Sequence, residues 1–243
     1  MSVQPKQNLF KYIILFGLFL LQRELVFSQS SIVPEIPFQA EAEVSVDGKL
    51  DDWSKLKKLF VVDEFVSPWS SSDFGKTVFK AFYDKEYLYF YFDIEDKNIV
   101  EKKFEREEDV AKGDRGEIFL SADSSLSEYF CFEIAPSGEV LDYKAKYYRK
   151  FDYEWDLKGL EIKTDVGPSG YILEGRIPLE FVKGLIKSKS SSEFRMGIFR
   201  GEFNSLSWNE KDINWISWIR PNTEKPDFHT PSAFQWVRLG RVE

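Results

Sequence analysis

YLYFYFDIED, residues 87–96, decides the fold. Leu88, Phe90, Phe92 and Ile94 fall on one side of a period-two alternation, and Tyr87, Tyr89, Tyr91 and Asp93 fall on the other. Alternation among aromatic and β-branched residues is the pattern of a half-buried strand. Working outward, the same pattern recurs in TVFKAFYD (77–84), EIFLSAD (117–123), EYFCFEIAP (128–136), LEIKTDV (160–166), YILEGRI (171–177), FRMGIFR (194–200) and QWVRLGRV (235–242). In the third of these Phe130, Phe132 and Ile134 share a face, and Cys131 and Glu133 take the other. Turn-forming stretches separate the strands: DGKLDDW (47–53), SPWSSSDFGK (67–76), PSGE (136–139) and GPSG (167–170). Only PLEFVKGLIK (178–187) reads as helix, with Pro178 suited to a first helical turn and Gly184 keeping it short. Short strands, regular turns and one short helix predict an all-β, antiparallel β-sandwich of jelly-roll type.

The ends and the charge bound what such a sandwich does. Lys6 and Lys11 precede an apolar run from Tyr12 to Leu21, and Val26, Phe27 and Ser28 follow at the positions a signal peptidase inspects. This is the order of a secretory signal, expected to be cut after Ser28, and it is too short for a comfortable membrane span. The expected organisation is a signal peptide over 1–28, an N-terminal segment over 29–45 and one β-sandwich over 46–243, with no stable membrane span after cleavage. The destination is secreted, periplasmic or cell-surface. The chain carries a net charge of −8, and its first 28 residues hold three cations and one anion, so the remainder is near −10. That charge excludes a nucleic-acid backbone as partner, since phosphate binding needs a basic footprint, and favours a neutral one such as a sugar. Cys131 is the only cysteine, so the chain has no internal disulfide, no zinc spacing and no covalent haem motif.

The order of landmarks resembles carbohydrate-binding module family 9-like domains. VDGKLDDW resembles the family's opening motif, AFYDKEYLYFYFDIED its following strand pair, and GDRGEIFLSAD its D-x-x-E-x-F strand. CFEIAPSGEVLD, GYILEGRIPL, FRMGIFRGEF and the closing SWIRPNTEKPDFHTPSAFQWVRL follow in the family's sequence, over about Val46 to Leu239. The resemblance implies a β-sandwich with structural calcium that binds a saccharide without cleaving it, often alongside glycoside hydrolases. It also implies a pair of tryptophans that clamp a terminal sugar, and a hydroxyl-binding role for the Glu of D-x-x-E. At the two clamp positions this chain carries Ala111 and Phe228.

Sugar recognition needs flat aromatic rings for the C–H faces and charged or amide groups for the hydroxyls. Trp69, within SPWSSS, is the candidate replacement for the missing clamp ring. Trp218 is read as either platform or core, Phe228 as platform through its family position, Trp53 as a structural plug in its turn, and Trp215 and Trp236 as core; Trp208 is a further candidate. Hydroxyl partners are Asp114, Glu117, Arg200 and His229. Arg200, on an alternating face with Met196 and Ile198, needs a buried carboxylate, and Glu117 is the expected one. For calcium the carboxylates near turns are Asp93 and Asp96, with Glu95 and Asp47 beside them; no EF-hand spacing is present. One alternative is a haem-binding sandwich, with His229 and Met196 as axial ligands. Another is a surface interaction protein with a degenerate sugar site. The many carboxylates show no glycosidase pairing, and no nucleophile elbow, phosphate loop or metalloprotease helix is present, which disfavours an enzyme.

Overall fold

The structure, a computed structural model, describes residues 33–188, 191–206 and 212–242. The expected signal segment and Trp208 lie outside the described residues. None of the described helices is long and apolar enough to cross a membrane.

The strands are β1 (Glu35–Ile36), β2 (Phe60–Val62), β3 (Thr77–Tyr83), β4 (Tyr87–Glu95), β5 (Arg115–Ser121), β6 (Tyr129–Ile134) and β7 (Val140–Lys146). They continue with β8 (Lys150–Asp152), β9 (Glu161–Gly167), β10 (Gly170–Pro178), β11 (Glu193–Phe203), β12 (Ile213–Ser217) and β13 (Gln235–Leu239). One short helix, α1 (Leu179–Gly184), follows β10, and 3-10 turns occupy Trp53–Lys55, Glu107–Lys112 and Pro231–Ala233. The larger sheet runs β1-β13-β11-β5-β6-β7-β8, with β12 also beside β11. The smaller runs β2-β3-β4-β10-β9. Pairing is antiparallel except between β1 and β13.

The alternation places the core. Phe79, Phe90, Phe92 and Ile94 of the smaller sheet meet Ile118, Phe132, Ile134, Met196 and Ile198 of the larger one between the sheets. Each fully buried ring contributes roughly 1.5–3 kcal/mol relative to exposure. The half-buried expectation needs one correction, because both outer faces are covered as well. Tyr89 and Tyr91 lie under the segment that carries Trp53. That segment is pinned by Glu174, whose carboxylate accepts the amides of Asp47 (2.9 Å) and Gly48 (2.7 Å) and the indole N–H of Trp53 (2.7 Å). Gly48 has φ +85°, and a Cβ there would sit 2.9 Å from the Thr164 carbonyl oxygen. The VDGKLDDW opening is therefore a folding motif, and Trp53 is the structural plug expected of it.

On the larger sheet, Phe119, Tyr129, Cys131, Tyr143 and Phe199 point away from the inter-sheet core and pack with Val110 of the 107–112 turn and with Phe228, Ala233 and Phe234 of the closing loop. Trp215 packs here and not between the sheets. Trp236, also expected in the core, is half-buried on the same outer side, with the Arg195 guanidinium over its ring.

Candidate functional site

The register of the larger sheet gathers charge on its outer face. Glu117 of β5 stands directly opposite Glu133 of β6, a like-charge pairing that costs stability unless a cation intervenes. Arg115, two residues before Glu117 and so on the same face, supplies it. Its Nε lies 2.9 Å from Glu117 Oε1 and 2.7 Å from Glu133 Oε2. Arg115 Nη1 donates to the carbonyls of Ala111 and Gly113 at 3.1 Å each, and its guanidinium faces the rings of Phe203 and Trp215 at 5.3 and 5.4 Å. The Tyr143 hydroxyl donates to Glu133 at 2.8 Å. Two buried carboxylates share one guanidinium, leaving excess negative charge. Burial, reinforced by Glu133 and opposed by Arg115, holds the Glu117 carboxyl well above the usual range.

The closing loop lays aromatic rings over this frame. Phe228 stacks on Phe199 at 4.1 Å between centroids and 12° between planes, and Phe199 is the β11 partner of Glu117. Trp69 tilts against Phe228 at 5.8 Å, its indole N–H donating to the Thr223 carbonyl at 3.0 Å. Trp215 meets Phe228 edge-on at 5.6 Å. Next along the loop, His229 packs between Phe119 (5.1 Å) and Phe151 (5.0 Å), with Nδ1 3.1 Å from the Tyr129 hydroxyl. Burial, with the positive field of Arg149 and Arg115, pushes the imidazole pKa down to about 3, so the ring is neutral at physiological pH. Trp69, Phe228 and His229 thus lie over the face that holds Glu117, although Phe228 is only 6% and Glu117 only 2% exposed.

Other expected site residues lie elsewhere. Arg200 does not pair with Glu117. It pairs in register with Gly116, so alternation turns it to the opposite face, where it is 0% exposed. There it binds Asp96 (3.0 Å) and Glu202 (2.8 Å) and donates to the Gly75 carbonyl (3.0 Å). Asp114 is a backbone clasp that accepts the amides of Val100 and Phe203 at 2.6 Å each. Trp218 packs on the inter-sheet core, edge-on to Phe60 at 5.7 Å, which resolves its two readings toward core. Asp93 and Asp96 diverge: Asp93 is exposed beside Glu95, whereas Asp96 is buried on Arg200. Asp47 is held at the distant turn by Glu174. Among the described residues no group of three or more His, Cys, Asp or Glu side chains is arranged to hold a metal ion, so the expected carboxylates do not fit calcium. Met196 is sealed between the sheets and His229 lies across the larger sheet from it, so the two cannot face one haem.

Comparison with known proteins bears on the family and the fold. The family model described as "Carbohydrate family 9 binding domain-like" matches residues 46–241. The chain belongs to that family.

Among solved structures, a putative carbohydrate-binding protein from Bacteroides uniformis ATCC 8492 superposes with a TM-score of 0.66 at 13% identity, covering 85% of this chain and 98% of that one. A family 9 module from Caldicellulosiruptor kristjanssonii in complex with cellotriose gives 0.54 at 16% identity, covering 86% and 94%. The module from the same organism in complex with glucose gives 0.50 at 18% identity, covering 85% and 96%. Comparison with curated proteins gives no match. In this member of the family the frame under the closing loop is Arg115–Glu117–Glu133–Tyr143. Sequence reading found Glu117 alone. The signal for Arg115 was its i, i+2 spacing, which in a strand forces it onto the same face. Glu133 and Tyr143 are cross-strand partners, visible only once the register is known.

Proposed function

We propose that this chain binds carbohydrate without cleaving it, on the outer face of the larger sheet where Trp69, Phe228 and His229 meet. The observation that carries the reading is the run of touching rings over the Glu117 strand, Trp69 tilted on Phe228 and Phe228 stacked on Phe199, in a chain of the carbohydrate family 9 binding domain-like family. Trp69 is half-buried, and the hydrogen bond from its indole fixes the ring plane. A pre-oriented ring loses little entropy on binding. The structural relatives captured with cellotriose and glucose support the ligand class.

Hydrolysis is disfavoured by geometry. A glycosidase needs two carboxyl groups about 5–10 Å apart across the scissile bond, with water at hand. Glu117 and Glu133 both clasp one nitrogen and are shut from solvent. The N-terminal export pattern supports a role outside the cytoplasm, alongside glycosidases that degrade the same glycan. The burial of Phe228 favours a second reading, a surface interaction protein whose sugar cleft has closed.

A glycan array with the purified protein, followed by titration calorimetry of the hits, separates the two. Carbohydrate binding predicts a hit whose affinity falls about tenfold in Trp69→Ala, equivalent to roughly 1.4 kcal/mol. Binding to no sugar leaves the interaction protein.

A further inference from the structure

The four strands that end the two sheet orders are not alike. β1, β2 and β8 run for two, three and three residues, short edges that give another strand little to pair with. β9 runs for seven and is paired with β10 from end to end, with no bulge and no proline. Its other side is open: among the described residues no backbone hydrogen bond joins Glu161–Gly167 to any element except β10. The strand is steadied from both faces. Gly48 packs over the Thr164–Asp165 peptide on the outer face, and Gly138 approaches the Thr164 side chain on the inner one.

The side chains of this edge complement themselves. Alternation puts Ile162, Thr164 and Val166 on the inner face, in register with Gly175, Leu173 and Tyr171, and Lys163 and Asp165 on the outer face. Val166 is 43% exposed, and Lys163 and Asp165 are exposed as well. Lys163 stands opposite Glu174, but that carboxylate is taken by Asp47, Gly48 and Trp53. Among the described residues neither Lys163 nor Asp165 has an ion-pair partner. A second copy of β9, laid antiparallel and centred on Thr164, faces Lys163 with Asp165 and Asp165 with Lys163. It also faces Ile162 with Val166, and Thr164 with itself. Opposite charges at facing positions stabilise a strand pair, and like charges weaken it. Centring on Lys163 would face lysine with lysine and Glu161 with Asp165; centring on Asp165 would face aspartate with aspartate. The Thr164 centre is also the one that overlaps all seven residues, about 23 Å at ~3.3 Å per residue. Charges also guard edge strands by repelling a copy, but a lysine and an aspartate at mirror positions attract one.

We propose that β9 is a dimer interface, through which two copies of this chain join their five-stranded sheets edge to edge. About six backbone hydrogen bonds form across it, because alternate residues of a strand turn both backbone groups to the same side. The pairing is isologous, the same patch meeting itself. Its two-fold axis passes through Thr164 normal to the smaller sheet, so both larger sheets lie on one side of the joined sheet. Resting on the carbohydrate reading, the two outer faces then meet one polysaccharide surface together, and attachment is bivalent.

The test is sedimentation equilibrium of the full chain from about 1 to 500 µM in about 0.15 M sodium chloride, which screens the repulsion between two copies of net charge −8. The expected result is a mass that rises toward twice that of one chain. Lys163→Asp and Asp165→Lys each set like charges at both facing pairs, and each raises the dissociation constant about tenfold or more. Asp165→Lys, at an exposed position, keeps the melting temperature of the dilute protein within about 2 °C, as surface substitutions allow. Mixed in equal amounts, the two variants restore the dimer, because every facing pair is again of opposite sign. A monomer at every concentration overturns the proposal and leaves the edge to an extended segment of another protein. A dimer untouched by either variant places the interface elsewhere, and variants that fail to rescue each other overturn the Thr164 register. An empty glycan array removes the carbohydrate reading and leaves the dimer standing.

Discussion

Glu174 shows how a single carboxylate organises a distant motif. It is buried on β10, yet it receives two amides and an indole N–H from a turn more than a hundred residues earlier. Replacing it with alanine leaves these donors unmatched beneath the Trp53 segment. Each orphaned buried donor costs about 1–3 kcal/mol, so Glu174→Ala is expected to lose about 3 kcal/mol or more. At about 2–4 °C per kcal/mol for a chain of this size, calorimetry should record a melting temperature lower by roughly 6–12 °C. A fall of under about 2 °C would mean that water takes the place of the carboxylate. The same logic separates Trp53 from Trp69. Trp53 spends its N–H and both ring faces on the fold, packing edge-on to Phe82 (5.1 Å) and Tyr91 (4.7 Å), whereas Trp69 keeps part of its ring open.

At the scale of the element, β11 links the two sides of the larger sheet. Its inner residues Met196 and Ile198 enter the inter-sheet core, and its outer Phe199 supports Phe228. Gly197 lies on the outer face between them in sequence, and a methyl there would overlap the Phe199 ring and approach the Ala233 carbonyl oxygen at 3.3 Å. Gly197→Ala should therefore push Phe199 off the stack and cost about 1–3 kcal/mol, the range for overpacking a filled core. The urea midpoint should fall, and the near-UV circular dichroism should change as the rings beside Phe228 shift. An unaltered spectrum would show that the ring turns aside without moving Phe228. The strands with strong alternation, β3, β4, β5, β6, β9, β10, β11 and β13, were legible in the sequence because period two survives burial on either face. The short strands β1, β2, β8 and β12 were not, since so few residues carry no period of their own, and the seven-residue β7 was missed although Leu141, Tyr143 and Ala145 alternate with Asp142, Lys144 and Lys146. β12 runs through the Trp-rich closing stretch, which reads as loop because charges and prolines surround it. For the site, Glu117, Trp69, Phe228 and His229, picked out by motif and composition, come together on the outer face of the larger sheet. Arg200 was misassigned because alternation gives the face of a residue only relative to its own strand. The Gly116↔Arg200 pairing is a fact of register, and register is set by the whole sheet.

Across the whole molecule, buried acids make stability fall as pH rises through neutrality. Burial, with the negative field of Asp96, raises Asp114 to about 7 despite the two amides it accepts and the nearby Arg200. The unfolded value is near 3.8. Between about 4 and 7 the folded chain keeps a proton that the unfolded chain releases, so stability declines by up to about 1.4 kcal/mol per pH unit across that window and is flat above it. Glu117, also raised, acts with the same sign. His229 acts oppositely: its imidazole falls from 6.5 to about 3 on folding. Below about 6.5 the unfolded chain therefore binds the extra proton, and stability rises with pH up to that point and not beyond it. The two signs partly cancel between about pH 4 and 6.5, and the decline is steepest just above, where the histidine no longer compensates. Urea denaturation at intervals from pH 5 to 8 should trace this bend. In Asp114→Asn the titrating group is gone, so the decline between pH 5 and 7 should shrink by up to about 1.4 kcal/mol per unit. The variant should also be weaker than the parent at pH 5, because an amide NH2 now faces one of the two backbone N–H groups. A parallel curve for the variant, merely shifted down, would assign the slope to other groups and leave Asp114 as a clasp that stays ionised.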